Sequence, residues 1–395
     1  MVWNIQRFNL GTIAVLPEGL SLENQITKAA YTDAKRNYIL NSVKAVDPDI
    51  FIVVELQSRI GTLGSLVQGN GEAGALRLLN YLQFFSSSKW RLVPPLKLVG
   101  PIPVDSEHPY TEAIGVFFRS DKLTFQGPFV WPQDNPVDGN GKAALPAPIA
   151  GTPGDYPEPW KTVSGGTHYA GQYMFGNISP DGHQILGELL FNSVNNRRPF
   201  LTRFQERDEH GNNNGRIITI VTVHPSPNSE TTSAVARVLS IPEIKENKSN
   251  EIIAVCGDLN VDSISGGPLE KSLFKLFAED GYATNFGHSQ GPTMLRTISD
   301  ATPDEYKKTA GLDNIITRYG SDLHGDMPLN NAVVDGVNGQ GIFDFQGMQN
   351  SVDFIKQNFA GDEVNAKTIF RKSKNYGKIG PNPGTSDHMA VVVDL

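Results

Sequence analysis

The sequence predicts a layered α/β fold, and two observations lead to this expectation. Short apolar runs rich in valine and isoleucine, each suited to one buried strand, recur from residue 2 to residue 393. Segments with the apolar stripe of an amphipathic helix lie between several of these runs. Strands that alternate with helices along a chain are typical of sheets covered by helices.

The predicted strands follow one another through the whole chain. In order they are 2–3, 49–54, 113–118, 217–223, 252–256, 314–316 and 390–393. β-Branched and aromatic residues dominate these runs, and such residues favour strands.

Three segments predict helices. The first runs over about Thr32–Val46 and ends at Asp47-Pro48, since the residue before a proline disfavours helix. The second runs over about Glu230–Glu246. The third begins at Pro268, a favoured first helical residue, and ends before Gly281.

Domain organisation follows from where the strands lie. A length of 395 residues by itself suggests two or three domains. Because polar candidates follow strands at both ends of the chain, we expect a single domain over residues 1–395. Two segments interrupt the alternation, at about 126–176 and 321–380, and are rich in Gly with Pro, Asn or Asp. We expect them to be loop insertions that frame a site.

Composition narrows the class of protein. The net charge of −8 disfavours a protein held on nucleic acid by bulk electrostatics, but allows an enzyme with a local positive surface. The single cysteine, Cys256, excludes an intrachain disulfide. No apolar stretch approaches the roughly 18 residues that span a bilayer. No signal peptide is visible, although a secreted form with a truncated N-terminus stays open. We expect a monomer without a stable protein partner.

Polar side chains stand where the predicted strands begin or end. They are Asn4, Glu55, His224, Asp258, Asn260, Asp313, Asp387 and His388. Ligands of layered α/β proteins bind outside the carboxyl ends of strands, so these side chains are expected at one rim. Carboxylate and amide oxygens with histidine suit Mg²⁺ or Mn²⁺ and phosphoryl chemistry, not a thiolate zinc site.

The segments around these residues resemble the endonuclease/exonuclease/phosphatase superfamily, and within it the pancreatic-type deoxyribonucleases and related bacterial nucleases. The matching segments are Trp3-Asn4-Ile5-Gln6, Glu55-Leu56-Gln57, Gly257-Asp258-Leu259-Asn260, Leu312-Asp313-Asn314-Ile315 and Ser386-Asp387-His388. Each is weak alone, and their order over the whole chain carries the signal. The resemblance implies a four-layer α/β sandwich, with two central mixed β-sheets flanked by helices.

Two further segments are similar to the deoxyribonuclease branch. Tyr110-Thr111-Glu112 precedes a strand that ends in Arg119, and this implies that Tyr110 contacts nucleic acid and Glu112 orients a catalytic histidine. Arg197-Arg198-Pro199 looks like an Arg-x-Pro segment whose first arginine contacts phosphate. The gap from Arg119 to Arg197 is longer than in the compact deoxyribonucleases, so substrate preference stays open.

The resemblance implies hydrolysis of a phosphodiester by in-line attack of water, assisted by Mg²⁺ or Mn²⁺. The expected metal ligands are Glu55 first, then Asn4, Asp258, Asn260 and Asp387. Asp258 is also expected to align or deprotonate the water, and Asn260 to polarise the phosphate.

Histidine serves as acid or base because its pKa lies near working pH. The resemblance makes His224 and His388 this pair, oriented by Glu112 and Asp313 respectively.

Three functions stay open at this point. The first is a nuclease, with DNA as the expected substrate. The second keeps the chemistry on a phospholipid, as in a sphingomyelinase, or on an inositol phosphate, and a lipid enzyme needs an exposed aromatic segment such as the region of Trp131 and Trp160. The third is a non-catalytic binding module. A structural Ca²⁺ in the Asp- and Asn-rich loops is compatible with the sequence, although no 12-residue calcium loop is present.

Overall fold

The computed structural model describes residues 1–14, 22–59, 66–98, 111–127, 172–173, 197–227, 231–285, 293–299, 302–308, 310–323, 331–334, 388 and 390–395. In this part of the chain the strands are β1 (Val2–Phe8), β2 (Ile50–Ser58), β3 (Trp90–Val93), β4 (Thr111–Arg119), β5 (Leu123–Gly127), β6 (Gln172–Tyr173), β7 (Phe200–Glu206), β8 (Ile217–Val223), β9 (Glu251–Asp258), β10 (Ala283–Thr284), β11 (Leu295–Ser299), β12 (Thr302–Lys308), β13 (Asp313–Tyr319), β14 (Asn331–Val334) and β15 (Ala390–Val393). The α-helices of the same residues are Leu10–Ile13, Leu22–Val46, Asn70–Phe85, Thr231–Ala236, Pro242–Lys245 and Pro268–Glu279, and the 3₁₀ helices are Arg237–Ser240 and Ser321–Leu323.

The strands of the described residues form two mixed sheets and a separate ribbon. The first sheet has the order β14-β15-β1-β2-β4-β3, and the second has the order β10-β13-β9-β8-β7-β5 with β6 beside β7. Only β1–β2 in the first sheet and β8–β9 in the second are parallel pairs within this part of the chain. The ribbon consists of β11 and β12.

The two sheets pack face to face, and the alternation of side chains along β9 shows how. Ala254 and Cys256 belong to the core shared with the first sheet, whereas Ile253 and Val255 pack with the helices on the other side. Successive strand residues point to opposite faces, so one short run fills two core layers. Helices also cover the outer side of the first sheet, with Leu78 of Asn70–Phe85 in its core. This helix–sheet–sheet–helix order confirms the four-layer sandwich.

The helices of the described residues differ from the prediction in four places. The short helix Leu10–Ile13 was not predicted. The first predicted helix begins at Leu22 instead of Thr32. The predicted helix 230–246 is broken, because Pro242 lacks an N–H and starts a new helix after the 3₁₀ turn Arg237–Ser240. The helix Asn70–Phe85 was not predicted, although its buried residues at 75, 78, 79 and 82 follow helical spacing. The third helix, Pro268–Glu279, agrees with the prediction.

The predicted insertions lie mostly outside the described residues. Of 126–176 the structure describes 126–127 and 172–173, and of 321–380 it describes 321–323 and 331–334. The proposed role of these loops therefore stays a prediction. No helix in the described part of the chain is both long enough and apolar enough to cross a membrane.

Candidate active site

Two pairs of parallel strands bring the polar candidates to one rim of the sandwich. Asn4 lies inside β1 and Glu55 inside β2, at neighbouring levels of this parallel pair, while His224 follows β8 and Asp258 ends β9. Strands that run parallel end on the same side, so each pair delivers its residues together. β13 runs antiparallel to β9 and starts at this rim, where Asp313 stands opposite Asp258.

Asn4 links the two sheets at the centre of this rim. Its Nδ2 donates hydrogen bonds to Glu55 Oε1 and to Asp258 Oδ2, each over 2.9 Å. Glu55 belongs to the first sheet and Asp258 to the second, and two carboxylates so close together repel each other in a low-dielectric site. The amide hydrogens of Asn4 offset part of this repulsion.

Glu55 reaches the site through strained backbone. Its φ is 64°, and Arg7 on the neighbouring strand also has a positive φ of 54°. The pairing registers of β1 with β2 and of β2 with β4 shift at this point. In return, the Arg7 N–H donates to Glu55 Oε2 over 3.0 Å. A left-handed conformation costs a non-glycine residue free energy, and such backbone strain clusters at functional sites.

His224 is buried between three carboxylates. Its Nδ1 lies 3.2 Å from Glu112 Oε2, and its Nε2 lies 3.6 Å from Glu55 Oε1 and 3.5 Å from Asp258 Oδ2. Burial lowers the pKa of His224 to about 4, and the Arg197 guanidinium adds to the effect against the opposing carboxylates. The imidazole is therefore neutral at pH 7.

His388 is held by a second carboxylate and by two further contacts. Its Nδ1 lies 2.8 Å from Asp313 Oδ2, and its Nε2 lies 3.6 Å from Asp258 Oδ2. Its carbonyl oxygen accepts a hydrogen bond from Trp3 Nε1 over 2.8 Å. A carboxylate on Nδ1 fixes the ring and leaves Nε2 directed at Asp258. Both expected histidine–carboxylate pairs are thus adjacent in the structure.

Asn260 completes a tight turn behind Asp258. Its backbone N–H donates to Asp258 Oδ1 over 3.0 Å, and its Nδ2 donates to the Pro225 carbonyl over 2.9 Å. Its φ of 49° is left-handed, which asparagine tolerates better than most residues. The turn fixes Asp258 and ties it to the segment after His224.

Two overlapping groups of side chains have the geometry to hold a cation. Glu55, His224 and Asp258 form one group, and Asp258, Asp313 and His388 form the other, with ligand atoms within 4.8 Å of one another in each. Asp313 Oδ1 is buried and accepts no hydrogen bond within the described residues. A buried acceptor without a donor and adjacent carboxylates both fit a divalent ion with oxygen ligands.

Three groups that contribute contacts to this site were not predicted from the sequence. Thr293 Oγ1 accepts from the backbone N–H groups of Leu312 and Asp313, each over 3.0 Å, and so fixes the start of β13. Trp3 and the Arg7 N–H are the others. No local pattern marks Thr293, because its partners lie 19 and 20 residues away. The predicted Tyr110 and Asp387 lie outside the described residues.

No family model matches the chain, and no curated protein matches it by sequence. Solved structures do match it. An endonuclease/exonuclease/phosphatase from Beutenbergia cavernae DSM 12333 matches with a TM-score of 0.44 and 13% identity, over 99% of this chain and 69% of that chain. D. rerio TDP2 complexed with single strand DNA product matches with a TM-score of 0.40 and 11% identity, over 84% and 88%. The mannosyl-6-phosphatase Bt3783 of Bacteroides thetaiotaomicron VPI-5482 matches with a TM-score of 0.36 and 10% identity, over 84% and 85%.

The first of these structures is described by the name of the superfamily that the sequence motifs resemble.

Proposed function

We propose that the protein is a metal-dependent phosphodiester hydrolase that cuts nucleic acid, with DNA as substrate and internal cleavage as the mode. One observation carries the proposal. Asn4, Glu55, His224, Asp258 and His388, which come from both sheets and from nearly the full length of the chain, meet in one buried cluster with contacts of 2.9–3.6 Å. Gathering carboxylates, histidines and an amide in one buried cluster is costly, and folds seldom do so without a function.

Glu55 and Asp258 are the side chains that we propose to hold Mg²⁺ or Mn²⁺, with Asn4, Asn260 and Asp387 as further candidates. When bound, the ion supplies positive charge to the phosphoryl oxygens as negative charge builds up. The opposed carboxylates of Glu55 and Asp258, joined through Asn4, provide a site whose charge matches such an ion.

The proton chemistry falls to Asp258 and the two histidines. Asp258 Oδ1 is held by the Asn260 N–H, so its Oδ2 faces the centre of the site and can align the attacking water. His388 Nε2 lies beside Asp258, and Asp313 on its other nitrogen stabilises the protonated ring. His224 is neutral at pH 7 and stabilises the phosphate region as a polar group.

The choice of nucleic acid is supported by the similarity of the Tyr-x-Glu segment, Tyr110-Thr111-Glu112, to the deoxyribonuclease branch. A lipid substrate has a weaker case within the described residues. Phe84 and Phe85 form an exposed aromatic pair at the end of the helix Asn70–Phe85. Gly71, at the start of that helix, packs against the backbone of Gln57, and the pair lies about 20 Å from it along the helix axis. We therefore assign this pair no role in presenting a lipid headgroup to Asp258.

The decisive test is cleavage of supercoiled plasmid with Mg²⁺, with and without EDTA. We expect nicked and linear products, no products with EDTA, and a loss of roughly 10²–10⁴-fold in rate for Asp258→Ala and for His388→Ala. Asp208→Ala, in an exposed loop outside the site, is the matched control and retains the wild-type rate.

Circular single-stranded DNA added to the same assay tests internal cleavage, since it offers no end. An intact plasmid across a series of divalent metals, with folded protein, contradicts the nuclease proposal. In that case, parallel assays identify the alternative substrate. Release of phosphocholine indicates a phospholipid, and release of inorganic phosphate from inositol phosphates indicates an inositol phosphate.

A further inference from the structure

Arg197 lies just before β7 and is enclosed by three groups. Its Nε is 2.8 Å from Glu112 Oε2 and its Nη2 donates to Glu112 Oε1 over 3.1 Å. Its Nη1 is 3.0 Å from His224 Nε2 and 3.4 Å from the Pro225 carbonyl oxygen. The side chain is 13% exposed, and that of Glu112 is 4% exposed.

Most of the N–H groups of Arg197 already face protein groups. A guanidinium has five N–H groups in a fixed fork and accepts nothing. Nη2 donates one hydrogen to Glu112 Oε1, and both hydrogens of Nη1 have an acceptor in His224 and Pro225. Nε is buried 2.8 Å from Glu112 Oε2, an ion-pair contact without the alignment of a hydrogen bond, and so it does not face a substrate. One hydrogen of Nη2 is left. To donate two hydrogen bonds to a substrate phosphate, Arg197 has to lose part of its contact with Glu112, which is a buried carboxylate.

The contact with His224 fixes which ring nitrogen carries the hydrogen. Arginine only donates, so His224 Nε2 has to accept from Arg197 Nη1. The hydrogen of the neutral ring then sits on Nδ1, which lies 3.2 Å from Glu112 Oε2. Arg197, Glu112 and His224 therefore contact one another in pairs, and each contact restrains the other two.

We propose that Arg197 is a positioning residue for His224, and that it acts through the ring tautomer and Glu112 instead of gripping the substrate phosphate. The inference rests on the proposed function for its kinetic consequence and departs from the Arg-x-Pro resemblance, which implies a phosphate contact. Without Arg197, His224 is free to place its hydrogen on either nitrogen, and the polar face it offers to the site is no longer fixed.

The first test reads the tautomer in the protein alone. In protein labelled with ¹⁵N-histidine, the signals of His224 are assigned by their loss in His224→Gln. We expect wild type at pH 7 to show His224 protonated at Nδ1, and Arg197→Gln to show a mixture of both tautomers. Arg203→Gln is the matched control, because Arg203 on the adjoining strand also pairs with a buried carboxylate, Glu251, yet lies outside the cluster. An unchanged His224 signal in Arg197→Gln overturns the inference.

The second test separates positioning from phosphate contact by kinetics. A positioning role predicts that Arg197→Gln and Arg197→Lys both lose about 10–100-fold in kcat, with KM and its salt dependence unchanged, since lysine cannot rebuild the planar fork. A phosphate contact predicts a higher KM, a slope of log KM against log salt lower by about 1, and substantial recovery by lysine. The second pattern overturns the inference.

The two proposals fail separately. A wild type that cleaves no phosphodiester ends the proposed function, while the tautomer signal still decides the position of Arg197 because it needs no substrate. Circular dichroism and thermal unfolding show that each variant is folded. If Arg197→Gln unfolds, Arg197→Lys keeps a charge beside Glu112, and its tautomer signal decides in the same way.

Discussion

We expect Gly257→Ala, which adds a single methyl group, to destabilise the protein strongly. Gly257 lies in β9 between Cys256 and Asp258, with a φ of 136° that side-chain-bearing residues rarely adopt. A Cβ atom built there falls 2.0 Å from the carbonyl oxygen of Val223 and 3.1 Å from its nitrogen. These are backbone atoms of the paired strand β8, and they cannot rotate away. Gly257→Ala therefore has to move one strand against the other by more than 1 Å, judged from ordinary van der Waals contact at about 3.5 Å.

The expected cost has two parts. The unfavourable φ costs about 1–3 kcal/mol. Forcing the strands apart adds about 1–3 kcal/mol, the usual range for overpacking. We therefore expect Gly257→Ala to lower the free energy of unfolding by about 2–6 kcal/mol. Because Val223 precedes His224 and Gly257 precedes Asp258, the same shift misplaces both side chains, and a displacement of about 1 Å costs about 10²-fold in rate.

Urea unfolding, followed by circular dichroism, measures the first effect and plasmid nicking the second. Gly211→Ala is the control, since Gly211 also has a positive φ of 81° but no atom within 4 Å of an added Cβ. It should lose about 1 kcal/mol from conformation alone and keep the wild-type rate. If Gly257→Ala is no less stable than Gly211→Ala, the steric reasoning is refuted.

Three other predictions follow from the same structure. Thr293→Val removes the acceptor of the part-buried N–H of Leu312 and of the buried N–H of Asp313, so unfolding measurements should show a loss of about 2–3 kcal/mol that Thr293→Ser restores. Equal stability of all three proteins contradicts this. Burial raises the pKa of the Cys256 thiol to about 12, so a thiol reagent at pH 8 should leave the native protein unlabelled and modify it in urea; rapid native labelling argues against the described core. Mg²⁺ or Mn²⁺ should raise the melting temperature of wild type but not of Asp258→Ala, since an ion that binds only the folded state stabilises it; equal shifts speak against Asp258 as a ligand.

The elements were largely readable from the sequence because their signals are local. The run 252–256 is short, apolar and β-branched, and it lies within β9. The third helix starts at its predicted Pro268 and ends at Glu279, before Gly281. The prediction of the second helix was wrong because the apolar stripe continues through Pro242, whereas proline lacks the N–H that a continuous helix needs.

The sequence by itself determined that His224, Asp258 and Asp313 stand at strand ends, since the end of an apolar run and the residue beside it are neighbours in the chain. Asn4 and Glu55 were expected at strand ends too, but they lie inside β1 and β2, which continue to Phe8 and Ser58. Tertiary structure decided what those residues touch. Asn4 meets Asp258 across 254 positions, and Arg197 turns towards Glu112 and His224 because two sheets close around it. No local pattern encodes the direction of a guanidinium or the hydroxyl of Thr293, because both depend on where distant strands end. Packing of two sheets fixes that, and only the folded chain reveals it.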